Sequence, residues 1–210
     1  MIEVIVRGNY MTKDRRIMRT RNDLKLAFLS LLKKKKDIKK VSIIDIVEQA
    51  NYNRATFYVH YSDKYALAED IINDTIEGFI QSFRDPYKQT NAHQIDLNTL
   101  SHQAIKIFGF IEEHCDQFKL LFENVIFLDF RERFFDRLKE VFKKDLLFMD
   151  EKKTRIDEEI YAQIQVQQMM GYIKFWVENN FTYSAEFMAE QVLLISQKKS
   201  TIIGVVSNEW

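Results

Sequence analysis

Residues 41–67 read VSIIDIVEQANYNRATFYVHYSDKYAL, two short helical patterns joined by a turn with no room for a loop and followed directly by a third pattern. Ser42 with Asp45 three positions on is a capping-box-like start, Asp standing where Glu is usual, and Ile43, Ile44, Ile46 and Val47 form the apolar stripe behind it. A helix from about Ser42 to Ala50 follows. Asn51 tolerates the left-handed backbone that ends a helix, and Asn53 has the side chain to accept the first free N–H groups of the next one. The second helix spans about Arg54 to Tyr61. At about 100° per residue, Phe57 and Tyr61 share one side, while Ala55 and Val59 fall opposite, flanked by Arg54, Thr56, Tyr58 and His60.

A face with small side chains at its centre and cationic or hydrogen-bonding ones at its edges suits close approach to another macromolecule. In a helix-turn-helix the second helix enters the DNA major groove with its N-terminal residues at the base edges. Ser62 is the expected cap of the third helix, which places Lys64 beside the first N–H groups, a position suited to phosphate.

The run NRATFYVHYSDKYAL resembles the helix-turn-helix signature of the tetracycline-repressor (TetR) family of bacterial transcription regulators. It matches that pattern at Ala50, Arg54, Thr56, Phe57, Tyr58, His60, Lys64 and Leu67, with Tyr61 as a conservative aromatic replacement. It departs at Asn51, where the family usually has Gly, and at Tyr52, where a small apolar residue is usual and where a change shifts the angle between the two helices. The resemblance implies a double-stranded DNA operator as partner. In that reading Arg54 and Thr56 approach base edges, Ala55 and Val59 give close apolar contact, and Tyr58, His60 and Lys64 hold phosphates, with Ser42 also at the DNA.

Of 210 residues one is Pro and five are Gly, and the patterns are long and amphipathic, so the expected fold class is all-α. The formal charge is zero, yet residues 1–67 carry 15 Lys/Arg against 7 Asp/Glu, and residues 68–210 carry 16 against 24. A basic module is joined to an acidic one. The expected organisation is an arm at 1–19, a helix-turn-helix domain at 20–67 and a helical effector-binding and dimerisation domain at 68–210. Cys115 is the only cysteine and no apolar run reaches about 18 residues, which points to a reducing cytoplasm and no membrane partner. The apolar patch in MIEVIVRGNY is too short for a signal peptide, and the first ten residues read as a leader of little structural consequence.

Thr20 and Asp23 make a second capping pair, ahead of Leu24, Ala27, Phe28 and Leu31 on a first helix from about Arg21 to Lys35. Its leading arm holds Lys13, Arg15, Arg16, Arg19 and Arg21, and Lys33 to Lys36 complement its C-terminus. A long connector helix is expected from Lys64 to about Arg84, stopped at Asp85-Pro86, with a loop to Asn98. Five further helices are expected: Leu100 to Glu113, Cys115 to Phe122, Phe127 to Phe148, Ile156 to Glu178 and Ser184 to Gln197. The tail TIIGVVSNEW reads as a short strand or an ordered extension.

No phosphate-cradling Gly-rich loop, GxSxG, HExxH or zinc-spaced Cys/His pair is present, so neither enzyme activity nor a cofactor or metal is expected. His114 beside Cys115 reads as packing or pocket lining, and Asp157, Glu158 and Glu159 as a solvated first helical turn. The second domain is instead rich in aromatics. Relatives of this architecture commonly enclose an effector pocket, and its expected lining is Phe79, Phe83, Phe108, His114, Phe118, Phe122, Phe134, Met169, Tyr172 and Trp176, suited to a small apolar or aromatic effector. A filled core without a cavity is the alternative.

The last two helical patterns carry apolar residues on more than one face and need cover. In TetR-like proteins such a pair packs against its copy as a four-helix bundle, which implies a homodimer with Ile173, Val177, Met188, Val192 and Ile195 at the interface. GYIKFWVENNFTYSAEFMAEQV also resembles the C-terminal part of a subgroup likened to dihydroxyacetone-kinase regulators. The expected function is a ligand-responsive repressor binding a palindromic operator as a dimer. The alternative is an activator or co-regulator whose second domain docks a protein.

Overall fold

The computed structural model describes residues 2–88, 101–123, 127–145 and 157–197. Among them the elements are α1 (Ile2–Lys35), a 3-10 turn η1 (Ile38–Lys40), α2 (Ile43–Gln49), α3 (Arg54–His60), α4 (Lys64–Lys88), α5 (Ser101–Glu113), α6 (Cys115–Glu123), α7 (Leu128–Asp145), α8 (Glu158–Glu178) and α9 (Ala185–Gln197), with no strand. The fold is all-α. No helix of the described residues is long and apolar enough to cross a membrane. Most of the expected loop after Pro86 and all of TIIGVVSNEW lie outside the described residues.

Three helix boundaries differ from expectation. The first helix begins at Ile2, not near Arg21, so the basic arm is helical. Thr20 therefore has a turn of helix ahead of it and no free N–H groups to cap. It is buried, and its hydroxyl donates back to the Arg16 carbonyl at 3.0 Å, as helical Thr does. Asp63 replaces Ser62 as the cap of α4, its Oδ1 accepting from the N–H groups of Tyr65 and Ala66, both at 2.8 Å. Finally, α4 runs past Pro86 to Lys88, ending within one turn of the residue that lacks an N–H.

The chain divides into two compact units, residues 1–77 with 116–137 and residues 78–115 with 138–210. Most of α6 and the first half of α7 fall in the first unit. Its core joins the apolar stripe of α1 (Leu24, Phe28, Leu32) to Ile46, Phe57, Leu67 and Ile71. A second aromatic cluster is built from Phe118, Phe122, Phe130 and Phe134, with Phe130 and Phe134 stacked at 5.4 Å. In the other unit Phe108 meets Trp176 edge-on at 5.6 Å, and the indole N–H of Trp176 donates to the Tyr183 carbonyl at 2.9 Å. Glu112 on α5 accepts the backbone N–H of Ala185 at 3.0 Å, which seats the start of α9.

That packing decides which face of α8 and α9 stays open. Ile173, Val177 and Met188, expected at a dimer interface, are buried within their own unit. Val192 is half-buried and Ile195 is exposed. The apolar residues left outside are Ile160, Ile164, Phe175, Tyr183, Phe187 and Leu194, and the rings of Phe175, Tyr183 and Phe187 stack in sequence at 5.9 and 5.0 Å.

Candidate nucleic-acid interface

The turn between α2 and α3 is built from side-chain caps. The Ser42 hydroxyl accepts the Asp45 N–H at 3.1 Å while the Asp45 carboxylate accepts the Ser42 N–H at 2.7 Å, a reciprocal capping box. Lys35 donates to the same carboxylate at 2.7 Å, and this contact, followed by the bonds from Ser42, holds the Asp45 carboxyl far below the usual range. Asn51 takes the left-handed backbone at φ 58, which lets the Tyr52 N–H return to the Val47 carbonyl at 2.8 Å and close α2. Asn53 then caps α3, its side-chain oxygen accepting both the N–H and the hydroxyl of Thr56 at 2.8 and 3.1 Å. The Thr56 hydroxyl oxygen keeps its lone pairs for an outside donor.

Phe57 on α3 and Tyr61 just after it point inward and are buried, while Arg54, Ala55, Tyr58 and Val59 are exposed. Val59 is 78% exposed, more than any other large apolar side chain among the described residues. The helix thus presents an apolar centre that its own chain leaves uncovered. Arg54 lies along the same face, its guanidinium 5.8 Å from the Tyr58 ring centre and donating to the Tyr58 hydroxyl at 3.3 Å. His60 is half-buried at the edge. Burial, and then the positive charge of Arg21, push its imidazole below the ordinary value.

Lys64 stands at the start of α4, as expected. Its ammonium donates to the carbonyls of Ile38 and Val41 at 2.7 and 2.8 Å, closing the open end of η1. Of its three protons, one remains for a phosphate.

Two contacts behind this face have no signal in residue spacing. Tyr52 donates its hydroxyl to Asp23 at 2.9 Å, so the departure from the family pattern is a tie between the turn and α1. Asp70 on α4 accepts from Arg21 at 2.5 Å, from Lys25 at 2.6 Å and from the Tyr61 hydroxyl at 2.7 Å. Burial pushes the Asp70 carboxyl up, and the three donors together outweigh it and hold it below its ordinary value. Burial and the bond to Asp70 raise the Tyr61 phenol. Lys25 also contacts Asp74, so α1 and α4 meet as a ladder of alternating charge.

The expected effector-pocket residues fall in both units. Phe118, Phe122 and Phe134 belong to the aromatic cluster of the first, and Phe79, Phe83, Phe108, His114, Met169, Tyr172 and Trp176 belong to the second. Phe79, Phe83, Phe108, Phe118, Phe134 and Trp176 are buried. His114 bonds through Nδ1 to the Phe110 carbonyl at 2.8 Å and lies tilted against the Phe110 ring. An open groove of about 400 Å³ in the first unit is lined by Asn73, Ile76, Glu77, Arg133, Asp136 and Arg137, none of them expected pocket residues. Arg133 there donates to Glu69 and Asn73 at 2.6 and 2.7 Å, and Arg137 to Glu77 at 2.7 Å.

Known proteins share both regions. The profile described as "Bacterial regulatory proteins, tetR family" matches residues 32–71, and the one described as "Transcriptional regulator C-terminal region" matches residues 98–198. An uncharacterized helix-turn-helix-type transcriptional regulator of Bacillus subtilis, YxbF, is 28% identical over 179 residues, covering 84% of this chain and 44% of that protein. The chain therefore spans less than half the length of that curated relative. A TetR-family transcriptional regulator from Syntrophomonas wolfei has the same fold with a TM-score of 0.68 at 18% identity, covering 90% of this chain and 99% of that one. The dihydroxyacetone kinase operon activator DhaS superposes with a TM-score of 0.60 at 16% identity, covering 84% of this chain and 95% of its own.

Proposed function

The chain belongs to the tetR family of bacterial regulatory proteins, and from that premise we propose that it is a cytoplasmic, homodimeric, sequence-specific DNA-binding regulator that represses transcription until an effector binds. The observation that carries this reading is the outer face of α3. Val59 and Ala55 are uncovered at its centre, and Arg54, Thr56 and Tyr58 surround them on a helix capped at Asn53 and anchored by Phe57. Arg54 and Thr56 read base edges, Ala55 and Val59 pack into the groove, and Ser42, Tyr58, His60 and the third proton of Lys64 meet phosphates. The excess of 15 Lys/Arg over 7 Asp/Glu in residues 1–67 supplies the long-range attraction.

Two heads are needed for two half-sites, and the uncovered face of α8 and α9 supplies the joint. Ile160, Ile164, Phe175, Phe187 and Leu194 are the residues of that face that a second copy covers, together with Ile195. The effector is a small apolar or aromatic molecule. It acts by preferring one head-to-head spacing, since equal affinity for both would shift nothing. Helix α4 is the link, being the element that leads from the recognition helix into the second unit.

Selection of duplexes from random-sequence DNA by the full-length protein tests this directly. A palindromic consensus is expected, and Arg54→Ala should weaken binding to it by about 1 to 3 kcal/mol while relaxing preference at one position of each half-site. No enrichment of any sequence would refute the reading.

A further inference from the structure

Three elements meet at one carboxylate. Asp70 accepts from Tyr61, which directly follows α3, through Oδ2 at 2.7 Å, and from Arg21 of α1 through Oδ1 at 2.5 Å. Lys25, one turn further along α1, reaches Oδ2 at 2.6 Å. Arg21 also donates through Nε to the Tyr61 oxygen at 3.4 Å and lies 5.8 Å from its ring centre. An arginine has no acceptor, so the phenol oxygen receives from Arg21 and its single proton goes to Asp70. The direction of every bond is therefore fixed.

Helix α3 has seven residues and one fully buried anchor, Phe57, whose ring rests against Tyr61 at 5.8 Å. Apolar packing is non-directional, so Phe57 alone permits the short helix to roll in its seat. The hydrogen bond from Tyr61 does not. The side chains of Asp70 and Lys25 are only 15% and 12% exposed, and apolar packing of similar volume would stabilise such a site as well or better. What the charged cluster adds over an apolar one is a single geometry.

We propose that Asp70 is a positioning residue for DNA reading: by holding Tyr61 and Arg21 it sets the angle at which α3 presents Arg54 and Thr56. The inference rests on the DNA-binding reading above and deepens it. It gives α4 a point of attachment to the recognition helix other than the chain itself. Tyr61 transmits the position of Asp70 to α3, and Arg21 and Lys25 reference both to α1.

The test compares the full-length wild type with Asp70→Asn, Tyr61→Phe and the double variant. The probes are a duplex selected by the wild type from random-sequence DNA and a scrambled duplex of equal composition. Each single variant should lose preference for the selected duplex by at least about fivefold, the lower end of what one base contact is worth, with binding to the scrambled duplex unchanged. The double variant should be no worse than the weaker-binding single variant, because both cut one connection. Asp70→Glu, which keeps the charge, should recover part of the preference. An unchanged preference ratio in folded Tyr61→Phe, which loses one proton and no charge, overturns the proposal even where Asp70→Asn fails to fold. Losses that multiply in the double variant overturn it as well. A wild type that selects no duplex refutes the DNA-binding reading itself, and the positioning role falls with it.

Discussion

The hydroxyl of Tyr52 donates to the carboxylate of Asp23 at 2.9 Å and ties the α2–α3 turn to the middle of α1. Tyr52 stands where the family pattern carries a small apolar residue, and the hydrogen bond gives the larger side chain a fixed station. The turn is thus held at both ends, by Phe57 inside the core and by Tyr52 at its margin.

Tyr52→Phe keeps the ring and removes that bond. Asp23 is partly exposed, so water takes over its oxygen, and the loss should sit at the lower end of the usual 0.5 to 1.5 kcal/mol, about 0.5 kcal/mol. Urea denaturation checks this, with the midpoint lowered and the slope unchanged. Operator binding should weaken more than the fold does, because the turn sets the entry of α3.

If His60 meets a DNA phosphate as proposed, it makes both stability and DNA binding depend on pH, in opposite senses. Its folded-state pKa lies below the ordinary 6.5, through burial first and the charge of Arg21 second. Above 6.5 both folded and unfolded chains carry a neutral imidazole and nothing changes. As pH falls below 6.5 the unfolded chain binds the proton first, so this contribution to stability is lost until the folded pKa is passed. A phosphate beside His60 favours the imidazolium, so binding takes up a proton and affinity rises as pH is lowered from 7.5 toward 6. Titration of the imidazole by NMR with and without duplex checks both signs. His60→Gln should flatten the pH dependence of binding.

Gly78 in α4 makes room for an aromatic ring. A Cβ at this position would lie 2.7 and 2.9 Å from the ring tip of Phe110, which itself packs against the His114 ring at 4.4 Å. Gly78→Ala gains about 1 kcal/mol of helix propensity and incurs about 1 to 3 kcal/mol of overpacking, so the net effect should be a loss of up to about 2 kcal/mol. Thermal unfolding measures it. Phe110→Leu in the Gly78→Ala background should recover part of the loss by withdrawing the ring.

Leu194 and Ile173 separate the open face of the last two helices from their core face. Leu194 is 52% exposed and Ile173 is fully buried. In a two-fold interface a charge introduced on one copy is introduced on both, so Leu194→Glu should convert the proposed dimer to folded monomer in sedimentation equilibrium. Ile173→Ala should instead cost about 2 to 5 kcal/mol of unfolding free energy, the usual loss for a large-to-small change in a core. The reverse pattern would place the interface at Ile173 and its neighbours instead.

Much of the α2–α3 hairpin was legible because its interactions close within a few residues. Ser42 and Asp45 cap each other across three positions, Asn53 caps Thr56 across three, and the positive φ that Asn51 was expected to adopt is there. The inward Phe57 and Tyr61 and the outward Val59 followed from helical period alone. The same reasoning misplaced the cap at Thr20, because a capping pair does not reveal that helix already precedes it. It also read α8 and α9 as apolar on several faces, and the resemblance put Ile173, Val177 and Met188 at a dimer interface. Ile173, Val177 and Met188 went inward because α5, with Phe108 and Glu112, covers that side.

The amino-acid sequence by itself determined the recognition hairpin, the all-α fold and the basic character of the first 67 residues. Only the tertiary structure decided that Tyr52 meets Asp23 across 29 positions, that Arg21 meets Asp70 across 49, and that Lys64 gives two of its protons to the carbonyls of Ile38 and Val41. A cap or a turn is selected by the few atoms within one turn of chain, so residue type and spacing suffice to read it. A partner tens of residues away is selected by how whole helices pack, and that depends on the shape of every side chain between them.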